Sequence, residues 1–158
     1  MDLFEDLMEE CFTNNIEVYI RRMKNKGLYG DNIIWLSNSL STTVEKVSIL
    51  AEELGHYHTS AGDILNQTKI DNRKQELKAR SWAHKRVFPL SKIIEAHKLN
   101  LRNKYELADY LNVTEEFVEA SLKRYQDKFG LFVDIDGYTI FFDPLEVVEI
   151  SDQKNFYS

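Results

Sequence analysis

The chain has one cysteine, two prolines and six glycines among its 158 residues, and each scarcity removes a class of protein. With Cys11 alone, neither an intramolecular disulfide nor a cysteine-rich zinc site can be built, and the thiol is expected to serve as a small buried hydrophobe. So few breakers, beside 43% hydrophobic and 12% aromatic residues, describe a folded, helix-rich chain and not a disordered one. Long apolar runs are missing as well. Ile33-Ile34-Trp35-Leu36 and Tyr138 to Phe142 are far too short to cross a bilayer, and no apolar signal segment opens the chain, so a cytoplasmic protein with no membrane partner is expected. A positive excess is also lacking. The formal charge of −6 disfavours a nucleic acid as partner, unless the bases gather on one face, and favours a protein.

What is present reads as an ordered series of elements. Leu3, Phe4, Leu7, Met8, Cys11 and Phe12 recur at helical spacing, and Thr13-Asn14-Asn15 ends that helix. Ile16 to Ile20 alternates apolar and polar residues like a half-buried strand, and Arg21 to Lys26 is a basic loop. Gly27 to Gly30 and Ile33 to Leu36 flank Asp31-Asn32, a pair of strands joined by a tight turn. Ser41-Thr42-Thr43 with Glu45 caps a helix from Val44 to about Tyr57, whose middle is apolar on nearly every side and therefore buried. Ala61 to Asn72 reads as a polar loop, Arg73 to about Phe88 as a helix stopped by Pro89, and Leu90 to His97 as another. Tyr105 to Phe129 has the form helix, turn, helix, with Thr114 capping the second. Asp136-Gly137 between Phe132-Val133-Asp134-Ile135 and Tyr138 to Phe142 signals a hairpin, and the tail after Pro144 reads as loosely ordered. No repeat or low-complexity tract occurs. The fold class is α+β and mostly helical, with a small N-terminal sheet.

Chemistry concentrates at Glu52-Glu53-Leu54-Gly55-His56, one residue away from the HExxH signature of zinc peptidase helices, with Glu52 where the first histidine would stand. Residues four apart share a helix face, so Glu52 and His56 can reach one ion while Glu53 stands beside it. Zinc accepts carboxylate oxygen at about the same distance as imidazole nitrogen, so Glu52 is admissible as a ligand. The next helix offers a third in Glu76, which shares its face with Ala79 and Ala83, small residues that let two helices approach closely. In this reading Glu52, His56 and Glu76 hold the metal, a fourth position stays open for water, and Glu53 is the general base for peptide hydrolysis. The extra carboxylate makes the ligand set more negative and lowers the metal's Lewis acidity, so a slow enzyme or another divalent ion such as Mn is expected. Taken alone, EExxH is more often a solvated helix face. His56-x-His58 is a rival pair only if the helix ends near Gly55; His58 is ranked as a neighbouring or surface residue, and His84 and His97 as surface or packing residues, with His84 able to face the cleft.

Four stretches occurring in order carry a resemblance: Gly27-Leu-Tyr-Gly-Asp-Asn-Ile-Ile with Leu36, Ile49-Leu-Ala-Glu-Glu-Leu-Gly-His-Tyr, Glu76-Leu-Lys-Ala-Arg-Ser-Trp-Ala with Pro89, and Glu106-Leu-Ala-Asp-Tyr-Leu-Asn-Val-Thr-Glu-Glu-Phe. Over roughly residues 25–130 the chain resembles the ImmA/IrrE-type metallo-endopeptidases, in particular those of phages and prophages of Gram-positive bacteria. The resemblance implies a zincin-like core over residues 1–90 and a helix-turn-helix-like region with a terminal hairpin over residues 91–158, packed on that core. It implies zinc at Glu52, His56 and Glu76, catalysis by Glu53, and a phage-type repressor as partner, cleaved or inactivated to relieve repression. The departure at Glu52 leaves a second reading open, a weak or inactive member that binds the repressor without cutting it. The helix-turn-helix-like segment presents Glu115, Glu116 and Glu119 where a reader of DNA needs bases or amides, which favours a structural or docking role.

Overall fold

Thr42 starts the central helix by accepting a hydrogen bond from the Glu45 amide, with its own backbone extended. In the computed structural model, which describes residues 2–60 and 69–150, the elements follow in this order. Helix α1 (Leu3–Thr13) precedes strands β1 (Glu17–Arg21), β2 (Gly27–Gly30) and β3 (Ile33–Ser37). Helices α2 (Thr43–Thr59), α3 (Lys69–Val87), α4 (Leu90–Lys98), α5 (Lys104–Leu111) and α6 (Glu115–Phe129) come next, and β4 (Phe132–Ile135), β5 (Tyr138–Phe142) and β6 (Leu145–Glu149) close the series. The fold is α+β with helices predominant and two three-stranded sheets. Among the described residues no helix is long and apolar enough to cross a membrane.

Helix α2 is the axis of the core. Val47, Leu50, Ala51 and Leu54 are wholly buried, as its apolar circumference predicts, and Leu7 and Cys11 of α1 join the same core. Burial pushes the Cys11 thiol up to about 12, so it acts as a hydrophobe. The most extensive helix pair is α2 on α3. Gly55 makes that proximity possible: a Cβ placed on it would lie 2.1 Å from the Ala79 carbonyl oxygen.

The first sheet has the order β1-β3-β2, with β1 parallel and β2 antiparallel to β3. Asp31 and Asn32 both take positive φ (49° and 60°), the twist that a two-residue hairpin turn requires. Strand β1 is more exposed than its alternation predicts. Only Val18 in it is partly buried, while Tyr19 and Ile20 lie open, because β1 is an edge strand.

Two expectations need correction. Helix α3 starts at Lys69, so residues 69–72 belong to it and not to the preceding polar loop; the rest of that loop, residues 61–68, lies outside the described residues. Polar composition around it had hidden the helix start. The tail after Pro144 is not loose over its first part: Leu145–Glu149 forms β6, antiparallel to β5, with Leu145 and Val147 turned to the core. Backbone pairing on the open edge of β5 supplies the order that composition did not announce. Helix α5 ends on Asn112 in the left-handed region (φ 61°), and α6 is capped by Thr114, whose side chain accepts from the Phe117 amide at 3.1 Å. The Thr114 amide in turn donates to Ser48 Oγ at 3.2 Å, so the first turn of α6 is packed against α2.

Candidate metal centre

The contact between α2 and α3 at Gly55 and Ala79 places His56 opposite Glu76, one turn earlier on α3. His56 Nε2 lies 3.1 Å from Glu76 Oε1. The imidazole is 17% exposed and the carboxylate 50%, so the pair stands at the mouth of a cleft and not in the core. Arg80, one turn further along α3, brings Nη2 to 4.0 Å from Glu76 Oε2.

That cleft, of about 590 Å³, lies between α2, α3 and the edge strand β2, and Gly27, Tyr29, Glu52, Glu53, His56 and Glu76 all line it. Glu53 is the most enclosed of its acids at 9% exposure. Burial first, then the Glu76 and Glu52 carboxylates, push its pKa up to about 8. Its side chain faces Gly27: a Cβ there would stand 3.2 Å from Glu53 Oε1 and 2.5 Å from Ile49, so only glycine lets β2 come this near. Glu52 is raised as well, by burial above all, with Arg80 and Lys26 drawing it back down and Glu76 adding to the rise.

The donors gathered here are two carboxylates and one imidazole around the cleft, with a third carboxylate beside them, a set whose chemistry suits zinc or another divalent cation. Two of the three predicted ligands, His56 and Glu76, are already within reach of a shared ion. As the side chains stand, no group of three or more His, Cys, Asp or Glu among the described residues is close enough together to hold one. Glu52 lines the same cleft without joining that pair.

The remaining histidines have other surroundings. Helix α2 runs through Gly55 to Thr59, so His56 and His58 point apart. His58 Nε2 lies 3.0 Å from Glu10 Oε1, and its ring stacks on Trp82 at 4.4 Å. His84 is not a surface residue: at 2% exposure it packs edge-on against Phe117. His97 meets the edge of Tyr138. Gly27, Tyr29, Lys26 and Arg80 also line the cleft, although no ligand spacing marks them in the sequence; the one signal is at Arg80, which follows Glu76 by four positions on the same helix face.

The cleft is thus lined by helix-borne glutamates and a histidine and runs beside an antiparallel edge strand. Residues 12–123 match the family described as the IrrE N-terminal-like domain, Peptidase M78, and the chain belongs to that family. Membership points to a metallopeptidase-like function. No curated protein matches the sequence.

Proposed function

We propose that the chain is a metallo-endopeptidase with a zincin-like core, holding zinc or a related divalent ion through Glu52, His56 and Glu76. The observation that carries this reading is the His56–Glu76 contact across α2 and α3 in a cleft that Glu52 and Glu53 also line. A bound ion would polarise the scissile carbonyl and acidify a water molecule. Glu53 is the general base: enclosed against Gly27, it accepts the proton of the attacking water and delivers it to the leaving amine. Without a metal its pKa is raised to about 8, which leaves it largely protonated at neutral pH; a cation in the cleft would lower that value and free the carboxylate as a base. Strand β2 is the free edge beside these groups, and its unpaired amides and carbonyls offer an extended substrate a register by strand addition.

The substrate in this reading is a phage-type repressor in the cytoplasm, and its inactivation relieves repression of a phage or prophage gene set of a Gram-positive host. The acidic α6 start, packed on α2, supports a docking or structural role for residues 104–129 in place of DNA reading. Incubating the purified protein and zinc with the repressor encoded beside its gene, with Glu53→Gln in parallel, tests the reading. Cleavage that disappears in Glu53→Gln is expected. Cleavage that survives it overturns the assigned base. Tight association without cleavage, with no dependence on zinc, favours the second reading that Glu52 motivates, a binding member of the family.

A further inference from the structure

Beside the catalytic cleft lies a second pocket of about 590 Å³ that no catalytic step uses. The two share Lys26, Ile49, Glu52 and Arg80, so a chain crossing the cleft passes the mouth of the pocket. Its far wall is the first turns of α6, through Thr114, Glu116, Phe117 and Ala120. Its apolar lining comes from Leu40, Ile49 and Phe117. His84 lines it too, and the Nδ1 of this buried ring has no hydrogen-bond partner among the described residues. Leaving a buried nitrogen unpartnered is costly, and because Nδ1 has no free surface as it stands, a ligand group recovers that cost only as the ring turns toward the pocket.

We propose that this pocket is the specificity subsite of the peptidase cleft, taking a neutral substrate side chain with an apolar stem and a hydrogen-bonding end, such as tyrosine or glutamine. The inference rests on the peptidase reading above and deepens it. The volume admits the largest natural side chain. The His84 ring is neutral, because burial, and then Arg124 and Arg80, hold its pKa down to about 4. The wall charges, Glu45, Glu52 and Glu116 against Lys26 and Arg80, largely offset one another, so a substrate charge of either sign would give up its hydration for little return. A neutral group remains, and His84 can either donate to it or accept from it. The helix-turn-helix-like segment thereby gains a function without touching a nucleic acid: α6 closes the substrate pocket.

The test reads binding, not cleavage. The full chain carrying Glu53→Gln is titrated, with and without zinc, with capped alanine hexapeptides bearing Tyr, Phe, Gln, Leu, Lys or Asp at one central position, and backbone amide shifts are followed by NMR. Tyr is expected to bind up to about tenfold more tightly than Phe, and Gln than Leu, with shifts centred on Ser48, His84 and Ala120. Lys and Asp are the weakest. His84→Phe should erase the Tyr-over-Phe and Gln-over-Leu preferences, and Ala120→Trp should abolish the pocket shifts for every peptide. Equal binding of Tyr and Phe, a preference that survives both variants, or no perturbation of these amides at millimolar peptide would overturn the assignment. Zinc affinity, measured separately by chelator competition, keeps the two readings apart: a selective pocket in a chain that binds no zinc overturns the peptidase reading, and with it the pocket's role as a subsite, while the side-chain preference itself stands.

Discussion

Replacing Gly55 with alanine isolates the helix contact on which the candidate centre depends. Within a helix the exchange is intrinsically favourable by about 1 kcal/mol, because glycine is the poorer helix former. Here the new Cβ would stand 2.1 Å from the carbonyl oxygen of Ala79 and 2.8 Å from its carbonyl carbon. Ordinary contact begins at 3.4 Å, and the obstacle is backbone, so no side chain can swing aside. The helices must part by about 1 Å, and separation on that scale forfeits a large share of the dispersion contacts between them. Ala51, Leu54, Ala79 and Ala83 are all fully buried at this seam. Overpacking of this kind costs about 3 kcal/mol, which after the gain in propensity leaves a net loss of about 2 kcal/mol. For a chain of this length that lowers Tm by roughly 4–8 °C. The same displacement carries Glu76 away from His56, now 3.1 Å apart, and metal sites need ligands placed to about 0.2 Å, so zinc affinity should fall at least about tenfold. Urea unfolding in chelator gives the first quantity, and competition with a chromophoric zinc chelator the second. Gly30→Ala is the control, since a Cβ there meets nothing within 4 Å, and its stability should stay within about 0.5 kcal/mol of the parent. A Gly55→Ala protein as stable as the parent, with the same zinc affinity, would refute the proposed seam.

Further outcomes follow from the site and the core. The Glu53 pKa is pushed from its ordinary 4.5 up to about 8, so the metal-free native state holds an extra proton between those limits and its stability declines as pH rises from about 5 to about 8, by on the order of 4 kcal/mol. Glu53→Gln should flatten that decline in urea titrations at about pH 5 and about pH 9 in chelator, and an unchanged slope would show that Glu53 is not the proton holder. Glu52→His exchanges a carboxylate ligand for imidazole and should change zinc affinity; an unchanged value removes Glu52 from the ligand set. Tyr125→Phe deletes the hydroxyl that donates to the Phe88 carbonyl at 2.9 Å, leaving a buried acceptor unpaired, and should lower stability by about 1–3 kcal/mol in urea unfolding without altering zinc binding.

Local signals with a defined stereochemistry were legible. Thr42, the middle of the expected Ser41-Thr42-Thr43 cap, and Thr114 cap their helices, and Asp31-Asn32 and Asp136-Gly137 adopt the positive φ values that hairpin turns demand. What composition alone announced was less secure. Residues 69–72 looked like loop because they continue a mostly polar stretch, yet a helix end needs no full apolar stripe of its own. Leu145–Glu149 looked loose because Pro144 precedes it and the chain beyond is polar, yet an open edge on β5 orders any short alternating segment that follows a turn. In both cases the deciding partner lies outside the segment.

The candidate centre divides along the same line. Spacing identifies which side chains share a face, and Glu52, Glu53, His56 and Glu76 do line one cleft. A face is several ångströms wide, however, and a metal needs its donors at a point. What narrows the cleft is the pairing of Gly55 with the Ala79 backbone, and the sequence showed only half of it: Ala79 and Ala83 read as small residues for close approach, while Gly55 read as a place where α2 might break. Glycine inside a helix is ambiguous in this way, since its destabilising effect on the isolated helix and its use in helix contact produce the same letter. The histidines follow suit. His56 and His58 cannot both face the cleft once α2 continues through Gly55, so the residue that brings Glu76 within 3.1 Å of His56 is also the one that sends His58 toward Glu10 and Trp82. One glycine therefore selects both the histidine and its partner, and a substitution there tests the centre more directly than the loss of any one ligand.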